Sequence, residues 1–377
     1  MIGWEFPPAK TGGLGTHCYE LVKNLAKKGA NVTLLIPKRT GNTKHNIPNV
    51  EIIEVGSTFL NPYNSKKPDD QIFEKGYGWN FFDEVKAFNR KCVEIAKNKV
   101  FDVIHCHDWM TIDAGIELKK ITGKGLVFTV HSTEYDRTAF IYPMNFIVDV
   151  ERRGVEQANH VITVSEGMKK QLIDRYGADE KKITVIYNGI DVSKYFGLTQ
   201  KGNNIILFLG RLTNQKGPYF FLHAAKKVLE KKKNVTFVVC GEGEKMPELI
   251  KLAINLGVMN NTVFTGYLPE EEVLKAYASA DAYVMPSVSE PFGITALEAA
   301  ASGTPVIVSK NAGVAEKVLH CFKVDFWDTH EMANKILCIL KYNVLRECMR
   351  NNCYREAHNF GWDKVAEQTL SVYRRAS

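Results

Sequence analysis

Residues 205–231, with the sequence IILFLGRLTNQKGPYFFLHAAKKVLEK, hold the pattern that decides the predicted fold. The apolar run Ile205–Leu209 predicts a short strand, and a turn that carries two cations follows it. Pro218 marks the first turn of a helix, where the missing N–H of proline is tolerated. A strand that leads directly into a helix is the repeating unit of a doubly wound α/β domain.

The same alternation runs through both halves of the chain. The predicted strands include Met1–Phe6, Val100–His105 and Val161–Val164 in the first half and Ala282–Met285 in the second. Strands such as Val161–Val164 are apolar on both faces, as parallel strands covered by helices on each side must be. The polar segment Asp191–Asn204 has the Gly, Lys and Asn content of a linker, and a fresh alternation begins after it. We therefore predict an α/β protein with two Rossmann-like doubly wound domains that face each other across a cleft, residues 1–195 and residues 196–360.

The composition excludes several classes of protein. A chain of 377 residues is too long for one compact core, and 45% hydrophobic with 24% charged residues is close to the globular average. That balance excludes disordered, collagenous and coiled-coil chains. No apolar stretch reaches the roughly 18 residues of a membrane span, and the N-terminus lacks a signal-peptide pattern. We expect a soluble, cytoplasmic protein without stable membrane insertion.

The charged residues bear on the kind of binding partner, and the cysteines bear on metal binding and redox state. The net charge of +7 is spread mainly over lysine pairs at the ends of predicted helices. Basic residues interleaved with stacking aromatics are lacking, so no nucleic-acid partner is expected. The eight cysteines form no CxxC pair and no Cys/His cluster at zinc spacing. They are typical of reduced core thiols in a cytosolic protein.

A glycine-rich turn, KTGGLG at residues 10–15, follows the predicted first strand and leads into a helix. Such a turn can direct backbone N–H groups and the positive end of a helix dipole at a phosphate. A tight strand-to-helix turn would use the same glycines without binding anything. The pattern fits neither the P-loop nor the G-x-G-x-x-G fingerprint, so both interpretations stay open.

Two loops of the second domain carry the charged residues that we interpret as a ligand site. Arg211 offers a planar fork and Lys216 a point charge, and two such cations suit a diphosphate. Ordinary surface charge is the alternative, and it is disfavoured only because the next motif lies at the same edge of the sheet. The second loop has Glu290 and, eight residues on, Glu298, with Gly293 between them exposing the start of a helix. A carboxylate beside a phosphate is unfavourable, so each glutamate is expected to accept hydrogen bonds from sugar hydroxyls. A glycosidase would have no need of two diphosphate-binding loops.

Polar residues also end two strands of the first domain. His107, Asp108 and Trp109 follow one strand and His131 ends another, positions where an α/β fold places ligand contacts. The indole of Trp109 is able to lie against a sugar ring. The neighbouring His105 is interpreted as a core histidine.

The motifs in order are KTGGLG, HCHDW, the TVH strand end, VIYNGID, GRLTNQKG, GEGE, Gly266-Tyr267 and EPFGITALEA. Together they resemble the retaining GT-B glycosyltransferases of the glycogen/starch synthase type, families 4 and 5. The resemblance implies that the C-terminal domain holds a nucleotide-sugar donor and the N-terminal domain mainly a carbohydrate acceptor. It also implies that the last helix crosses back, so that residues 361–377 complete the first domain.

The resemblance assigns a role to each motif residue. Arg211 and Lys216 would hold the distal phosphate, Glu290 would lie by the transferred sugar, and His131 would donate a hydrogen bond to it. The remaining donor contacts would come from Lys10, Gly13, Gly293, Ile294, Thr295, Glu298 at the ribose and Tyr267 at the base. The acceptor side would be lined by His107, Asp108, Trp109 and Asn188.

The expected activity is transfer of a hexose, glucose from UDP-glucose or ADP-glucose, to the non-reducing end of an α-1,4-glucan. The same chemistry on a lipid, small-sugar or sugar-phosphate acceptor is the alternative, and a nucleotide-sugar-binding module without turnover is a more distant one. The resemblance implies a front-face mechanism without a metal ion, with a nucleophilic Glu290 as the open alternative. The chain has no D-x-D motif, so neither metal nor cofactor is expected. The chain departs from bacterial glycogen synthases after the first glycine turn and at 311–316, which weakens the case for polymer synthesis.

Overall fold

The computed structural model describes residues 1–7, 12–38, 46–56, 81–195 and 203–377. The chain divides into two compact units: unit 1 comprises 1–134, 143–188 and 362–377, and unit 2 comprises 135–142 and 189–361. The boundary therefore lies seven residues before the predicted one at 195/196. Residues 135–142, which the prediction assigned to the first domain, lie in the second, where the buried Ser289 hydroxyl donates to the Asp136 carboxylate at 2.6 Å.

Unit 1 alternates helices and parallel strands. Its helices are α1 (Gly13–Lys27), α2 (Phe81–Ala96), α3 (Trp109–Thr122), α5 (Asn145–Gln157), α6 (Glu166–Tyr176) and α13 (Trp362–Ala376), and α4 (Glu134–Arg137) begins at its edge. Its strands are β1 (Val32–Pro37), β2 (Val50–Val55), β3 (Val103–His107), β4 (Gly125–Val130), β5 (His160–Thr163) and β6 (Ile183–Val185).

The N-terminal segment joins the strands of unit 1 into one parallel layer. β1 pairs with β2, and β3 to β6 pair in chain order. Ile2 forms bridges to Leu35 on β1 and to Cys106 on β3, so the predicted strand Met1–Phe6 is present as isolated bridges. The order of strands reverses direction at Ile2, which makes the loops after this segment and after β3 the topological switch point of unit 1.

Helix α13 completes the core of unit 1. Trp362, Val365 and Val372 are buried in one cluster with Leu21 of α1 and Leu34 of β1. The C-terminal end of α13 also lies on β4, because a Cβ on Gly125 would come within 1.8 Å of the carbonyl oxygen of Ala376. The apolar face of the helix therefore covers the sheet of the first unit.

Unit 2 contains a parallel sheet with helices between its strands. The strands are β7 (Ile205–Leu209), β8 (Thr236–Cys240), β9 (Thr262–Gly266), β10 (Ala282–Met285), β11 (Val306–Ser309) and β12 (Phe322–Val324). The helices are α7 (Pro218–Lys231), α8 (Met246–Asn255), α9 (Glu270–Ser279), α10 (Ile294–Ala301), α11 (Thr329–Lys341) and α12 (Asn343–Ala357).

The strand order in unit 2 is β12-β11-β10-β7-β8-β9, and every pair is parallel. β7 and β10 lie side by side, and the chain runs outward from them in opposite directions, so the switch point of unit 2 lies between these two strands. With a second sheet of the same class in unit 1, the predicted fold class of two Rossmann-like doubly wound domains is confirmed.

Local sequence explains where the helices begin and end. The Ser165 hydroxyl accepts from the backbone N–H of Met168 and caps α6, while Gly177, with φ at 68°, ends it in the left-handed conformation. Pro218 is the first residue of α7, as predicted. None of the helices in the described part of the chain combines the length and apolar character that crossing a bilayer would require.

Candidate active site

The loops after β7 and β10 lie at the switch point of unit 2. Close backbone contacts fix their course: a Cβ on Gly241 would lie 2.0 Å from the carbonyl oxygen of Gly210, and one on Gly243 would lie 2.4 Å from that of Leu212. The N–H of Leu212 donates to the carbonyl of Glu242 at 2.9 Å. The glycines of the GEGE motif therefore allow the loop after β8 to support the loop that carries Arg211.

Lys216 and Glu290, one from each loop, form an ion pair. The Nζ atom of Lys216 donates to Oε2 of Glu290 at 2.7 Å, and the Ser287 hydroxyl donates to the same oxygen at 3.2 Å. The carboxylate side chain is only 9% exposed and the lysine side chain 20% exposed. The backbone N–H of Val288 donates to the carbonyl of Gln215 at 2.9 Å, which ties the two loops together.

Gly293 occupies a conformation that other residues rarely adopt. Its φ is 103°, and an added Cβ would lie 3.0 Å from Sδ of Met285 and 3.2 Å from Cγ of Glu290. The glycine precedes α10, so the N–H groups of Ile294 and Thr295 belong to the first turn and have no carbonyl four residues back within the helix. Backbone donors and the positive helix end therefore lie beside the Lys216–Glu290 pair.

Glu298, one turn further along α10, is held by tyrosines. The Tyr277 hydroxyl donates to Oε2 of Glu298 at 2.9 Å, and Tyr195 also hydrogen-bonds this carboxylate. Burial, and then the nearby Glu298 charge, raise the pKa of both phenols, so each stays protonated and donates. Tyr267 follows β9 and is 71% exposed, which leaves its ring accessible.

The switch point of unit 1 holds the other predicted residues. His107 ends β3, and Asp108 follows with φ at 57° and accepts from the backbone N–H of His131 at 2.7 Å. Trp109 is 3% exposed and packs edge to face against Phe81. Because this indole lies in the core of unit 1, the structure does not support the expectation that its face lies against a sugar ring.

Three histidines from separate elements meet beside this turn. His107 Nδ1 lies 3.0 Å from His131 Nε2, and the ring of His17 on α1 lies 4.3 Å from that of His131 between centroids. His17 Nδ1 hydrogen-bonds Oδ1 of Asn188 at 2.7 Å. The Nε2 atoms of His17 and His107 are buried and have no hydrogen-bond partner among the described residues.

Burial keeps these rings uncharged. It lowers the pKa of His17 to about 4 and the pKa values of His105, His107 and His131 well below the ordinary value. The neighbouring histidines add to the effect, because one charged ring would repel the next. His105 is a core histidine as predicted, since its two nitrogens bond the Tyr373 hydroxyl and the Thr129 hydroxyl at 2.6 Å each.

The glycine-rich turn contributes two predicted donor-binding residues, and a histidine follows it on the first helix. Gly13 is the first residue of α1, whereas Lys10 lies outside the described residues. His17 was not among the predicted site residues, although it lies on α1 only two residues after the glycine motif. Its contact with Asn188, 171 positions away, is the feature that no local pattern could reveal.

Comparison with known families and proteins gives consistent matches. The family described as Glycosyltransferase Family 4 matches residues 11–194, and the family described as Glycosyl transferases group 1 matches residues 193–356. An uncharacterized glycosyltransferase of Methanocaldococcus jannaschii is 33% identical over the whole chain and 97% of that protein. A glycogen synthase of Mycobacterium tuberculosis is 30% identical over the whole chain and 94% of that enzyme.

A solved structure shows the same architecture. Sucrose-phosphate synthase of Thermosynechococcus elongatus superimposes with a TM-score of 0.80 at 21% identity, over 99% of this chain and 95% of the other. At this identity the likeness concerns the fold.

Proposed function

This chain belongs to the GT-B glycosyltransferases, with a family 4 domain followed by a group 1 domain, and we propose that it transfers a hexose with retention of anomeric configuration. The proposed donor is UDP-glucose or ADP-glucose, and the proposed acceptor is the non-reducing end of an α-1,4-glucan. The glycogen synthase relative supports this acceptor. The observation that carries the proposal is the 2.7 Å contact between Lys216 and Glu290 at the switch point of unit 2.

The donor diphosphate is proposed to bind at the loops after β7 and β10. Arg211 offers two parallel N–H donors and Lys216 a compact charge, the two modes by which proteins bind phosphate. The N–H groups of Ile294 and Thr295 add neutral donors at the start of α10. Since Gly293 has no side chain, the diphosphate can approach these N–H groups directly.

The nucleoside is proposed to bind further along the same edge of the sheet. Glu298 accepts hydrogen bonds from the ribose hydroxyls, and Tyr277 orients its carboxylate through the 2.9 Å contact. Tyr267, 71% exposed, stacks on the base. Together with the diphosphate contacts, these groups account for each part of a nucleoside-diphosphate sugar.

In the proposed reaction, the bond between the anomeric carbon and the diphosphate oxygen breaks, and its electron pair stays on the diphosphate. The acceptor hydroxyl oxygen forms the new bond to the anomeric carbon on the same face and gives its proton to the departing phosphate oxygen. Negative charge grows on the diphosphate, where Arg211 and Lys216 stabilise it. Positive charge grows on the sugar ring, beside the Glu290 carboxylate.

Lys216 can serve both partners. An ammonium group has three N–H donors, so the contact with Glu290 leaves two for the distal phosphate. The buried carboxylate orients the lysine before the donor arrives, which lowers the cost of ordering the side chain in the transition state. In this proposal Arg211 and Lys216 together stabilise the negative charge of the leaving diphosphate without a metal ion.

On unit 1, His131 is proposed to donate a hydrogen bond to a hydroxyl of the transferred sugar. Asp108 holds the backbone N–H of His131 at 2.7 Å and fixes the position of the residue. His107 and Asn188 are 0% and 5% exposed, so they support the acceptor side from behind through their contacts with His131 and His17, and Trp109 supports this turn from the core.

The test is a screen of the purified protein with UDP-glucose and ADP-glucose against glycogen, maltooligosaccharides and small sugars, with and without EDTA. We expect transfer to glucans by at least one donor, an α-linked product by NMR, and full activity in EDTA. A β-linked product would refute retention, and loss of activity in EDTA would refute the metal-free reaction. Transfer only to small sugars would refute the glucan acceptor.

A pair of variants links the activity to the site. Glu290→Gln removes the charge while it keeps the shape of the side chain, and transfer should fall strongly. Glu271→Gln makes the same change at an exposed position of α9 and should leave transfer unchanged. Equal activity of the two variants would contradict the role of Glu290.

A further inference from the structure

We propose that His17, His107 and His131 form a binding site for one divalent transition-metal ion such as Zn²⁺. One ligand nitrogen from each histidine lies within 4.8 Å of the other two. Neutral imidazole nitrogen is a preferred ligand of Zn²⁺, with a Zn–N distance of about 2.0–2.1 Å. The three rings come from α1, the end of β3 and the residue after β4, all within unit 1.

The distances between the three imidazole rings are compatible with binding of one shared ion. Two nitrogens bound to one tetrahedral ion at that distance lie about 3.4 Å apart. His107 Nδ1 and His131 Nε2 are already 3.0 Å apart. The ring centroids of His17 and His107 lie 5.6 Å apart, and those of His107 and His131 lie 5.4 Å apart. Small rotations of the side chains are therefore enough to bring three lone pairs onto one ion.

The surroundings of His17 fix its ligand nitrogen. A histidine that binds a metal usually donates its other ring N–H to a carbonyl or carboxylate, which sets the tautomer and the orientation of the ring. His17 Nδ1 contacts the amide oxygen of Asn188 at 2.7 Å, so Nδ1 carries the hydrogen and Nε2 carries the lone pair. That Nε2 atom is buried and has no hydrogen-bond partner among the described residues.

The other two rings are also held in place. His107 packs against the ring of His105 with centroids 4.2 Å apart, and both nitrogens of His105 are engaged by hydroxyl groups. The backbone of His131 is fixed by Asp108. His17 and His107 are 4% and 0% exposed, whereas His131 is half-buried, so an ion would enter from the side of His131.

Three protein ligands leave one position of a tetrahedral ion for water or another oxygen ligand. An ion in this position would also occupy the Nε2 lone pair of His131 and fix the orientation of its ring. On the basis of the proposed function, in which His131 contacts the transferred sugar, Zn²⁺ would therefore inhibit transfer. Binding itself does not depend on that function and is measured separately.

The test is calorimetric titration of the chelator-treated full-length protein with ZnCl₂. We expect one high-affinity site in the wild type. His17→Asn places an amide nitrogen near the former Nδ1 and removes Nε2, so zinc affinity should fall by about 100-fold. Asn188→Ala leaves the three ligands and removes the orienting contact, and should weaken affinity by about 10-fold. His330→Asn, at an exposed position on α11, is the matched control and should bind as the wild type does.

Binding of Co²⁺ gives a readout that needs no variant, because a four-coordinate ion with nitrogen ligands has a strong visible absorption that the aqueous ion lacks. Absence of a zinc site in the wild type, or wild-type affinity in a folded His17→Asn, would overturn the proposal. An aqueous-like Co²⁺ spectrum would overturn it as well. If zinc binds but the protein transfers no sugar, the metal site stands and only the proposed function fails.

Discussion

The ammonium of Lys216 and the carboxylate of Glu290 lie 2.7 Å apart on loops that follow two adjacent parallel strands, 74 positions apart in the chain. A largely buried ion pair contributes little net stability, because the cost of removing both charged groups from water offsets their attraction. The position of this pair at the switch point of unit 2 is better explained by a role in binding a charged ligand. That interpretation leads to the first prediction.

Lys216→Met removes the ammonium while it keeps most of the side-chain volume. We expect transfer to fall by roughly 100-fold or more, because a preorganised donor to a developing charge contributes about 3 kcal/mol to transition-state stabilisation. Steady-state kinetics with saturating donor measures this loss. Lys226→Met, on the exposed face of α7, is the control and should keep wild-type rates. Near wild-type turnover of Lys216→Met would contradict the assignment of the distal phosphate to this residue.

Tyr277→Phe removes the hydroxyl that donates to Glu298 at 2.9 Å. A hydrogen bond to a charged group contributes about 1.5–3 kcal/mol, so the KM for the donor should rise by roughly 10-fold or more with a smaller change in kcat. The variant should also discriminate less between ribose and 2′-deoxyribose donors, which a purely structural role would not change.

Tyr219→Phe is a matched control for that prediction. Tyr219 donates to Glu248 in the same unit, but this tyrosine–glutamate pair is on the exposed surface. We expect its donor KM to equal that of the wild type. A common loss in both variants would indicate a general effect on unit 2 instead of a role for Tyr277 in orienting Glu298.

Gly293→Ala tests the backbone before α10. The φ of 103° is strained for alanine, and its Cβ would lie 3.0 Å from Sδ of Met285. We expect a loss of about 1–3 kcal/mol in the free energy of unfolding, together with weaker donor binding. Gly257→Ala has a positive φ of 70° but nothing within 4 Å of the added Cβ, so it isolates the cost of the backbone conformation. Chemical denaturation should show the larger loss for Gly293→Ala, and equal losses would mean that contacts at Gly293 are unimportant.

Strands whose ends are marked by a change from apolar to polar residues were predicted well from the sequence. Strands Ile205–Leu209 and Ala282–Met285 have the predicted bounds, because each is a short apolar run between polar turns. Strand β3 ends at His107, two residues beyond the predicted end at His105. The two extra residues, Cys106 and His107, pair with Phe128 and Thr129 of β4, and no local pattern reports such a pairing.

Residues for the candidate site could be selected from the sequence, but the contacts between them could not. Lys216 and Glu290 were selected from loop position, yet their ion pair depends on β7 and β10 being neighbours, which is a property of the whole sheet. The histidine cluster was missed because its members come from three separate elements of unit 1. Metal-site patterns in sequence rely on ligands at short spacing, and His17 and His107 are 90 positions apart.

The buried histidines predict how stability changes with pH. An unfolded histidine has a pKa near 6.5, whereas burial lowers the pKa of His17 to about 4. Between these values the unfolded state binds a proton that the folded state does not, so the free energy of unfolding falls as the pH falls. For His17 alone the loss amounts to about 2 kcal/mol at pH 5, and protonation of His105, His107 and His131 adds to it in the same direction.

Urea denaturation in EDTA at about pH 7.5 and about pH 5 measures this effect without bound metal. We expect the wild type to lose stability between the two conditions, and His17→Asn to lose about 2 kcal/mol less than the wild type over the same interval. His330→Asn changes an exposed histidine and should show the full wild-type loss. If His17→Asn and the wild type lose the same stability, then His17 is not a buried neutral ring that must take up a proton when the protein unfolds.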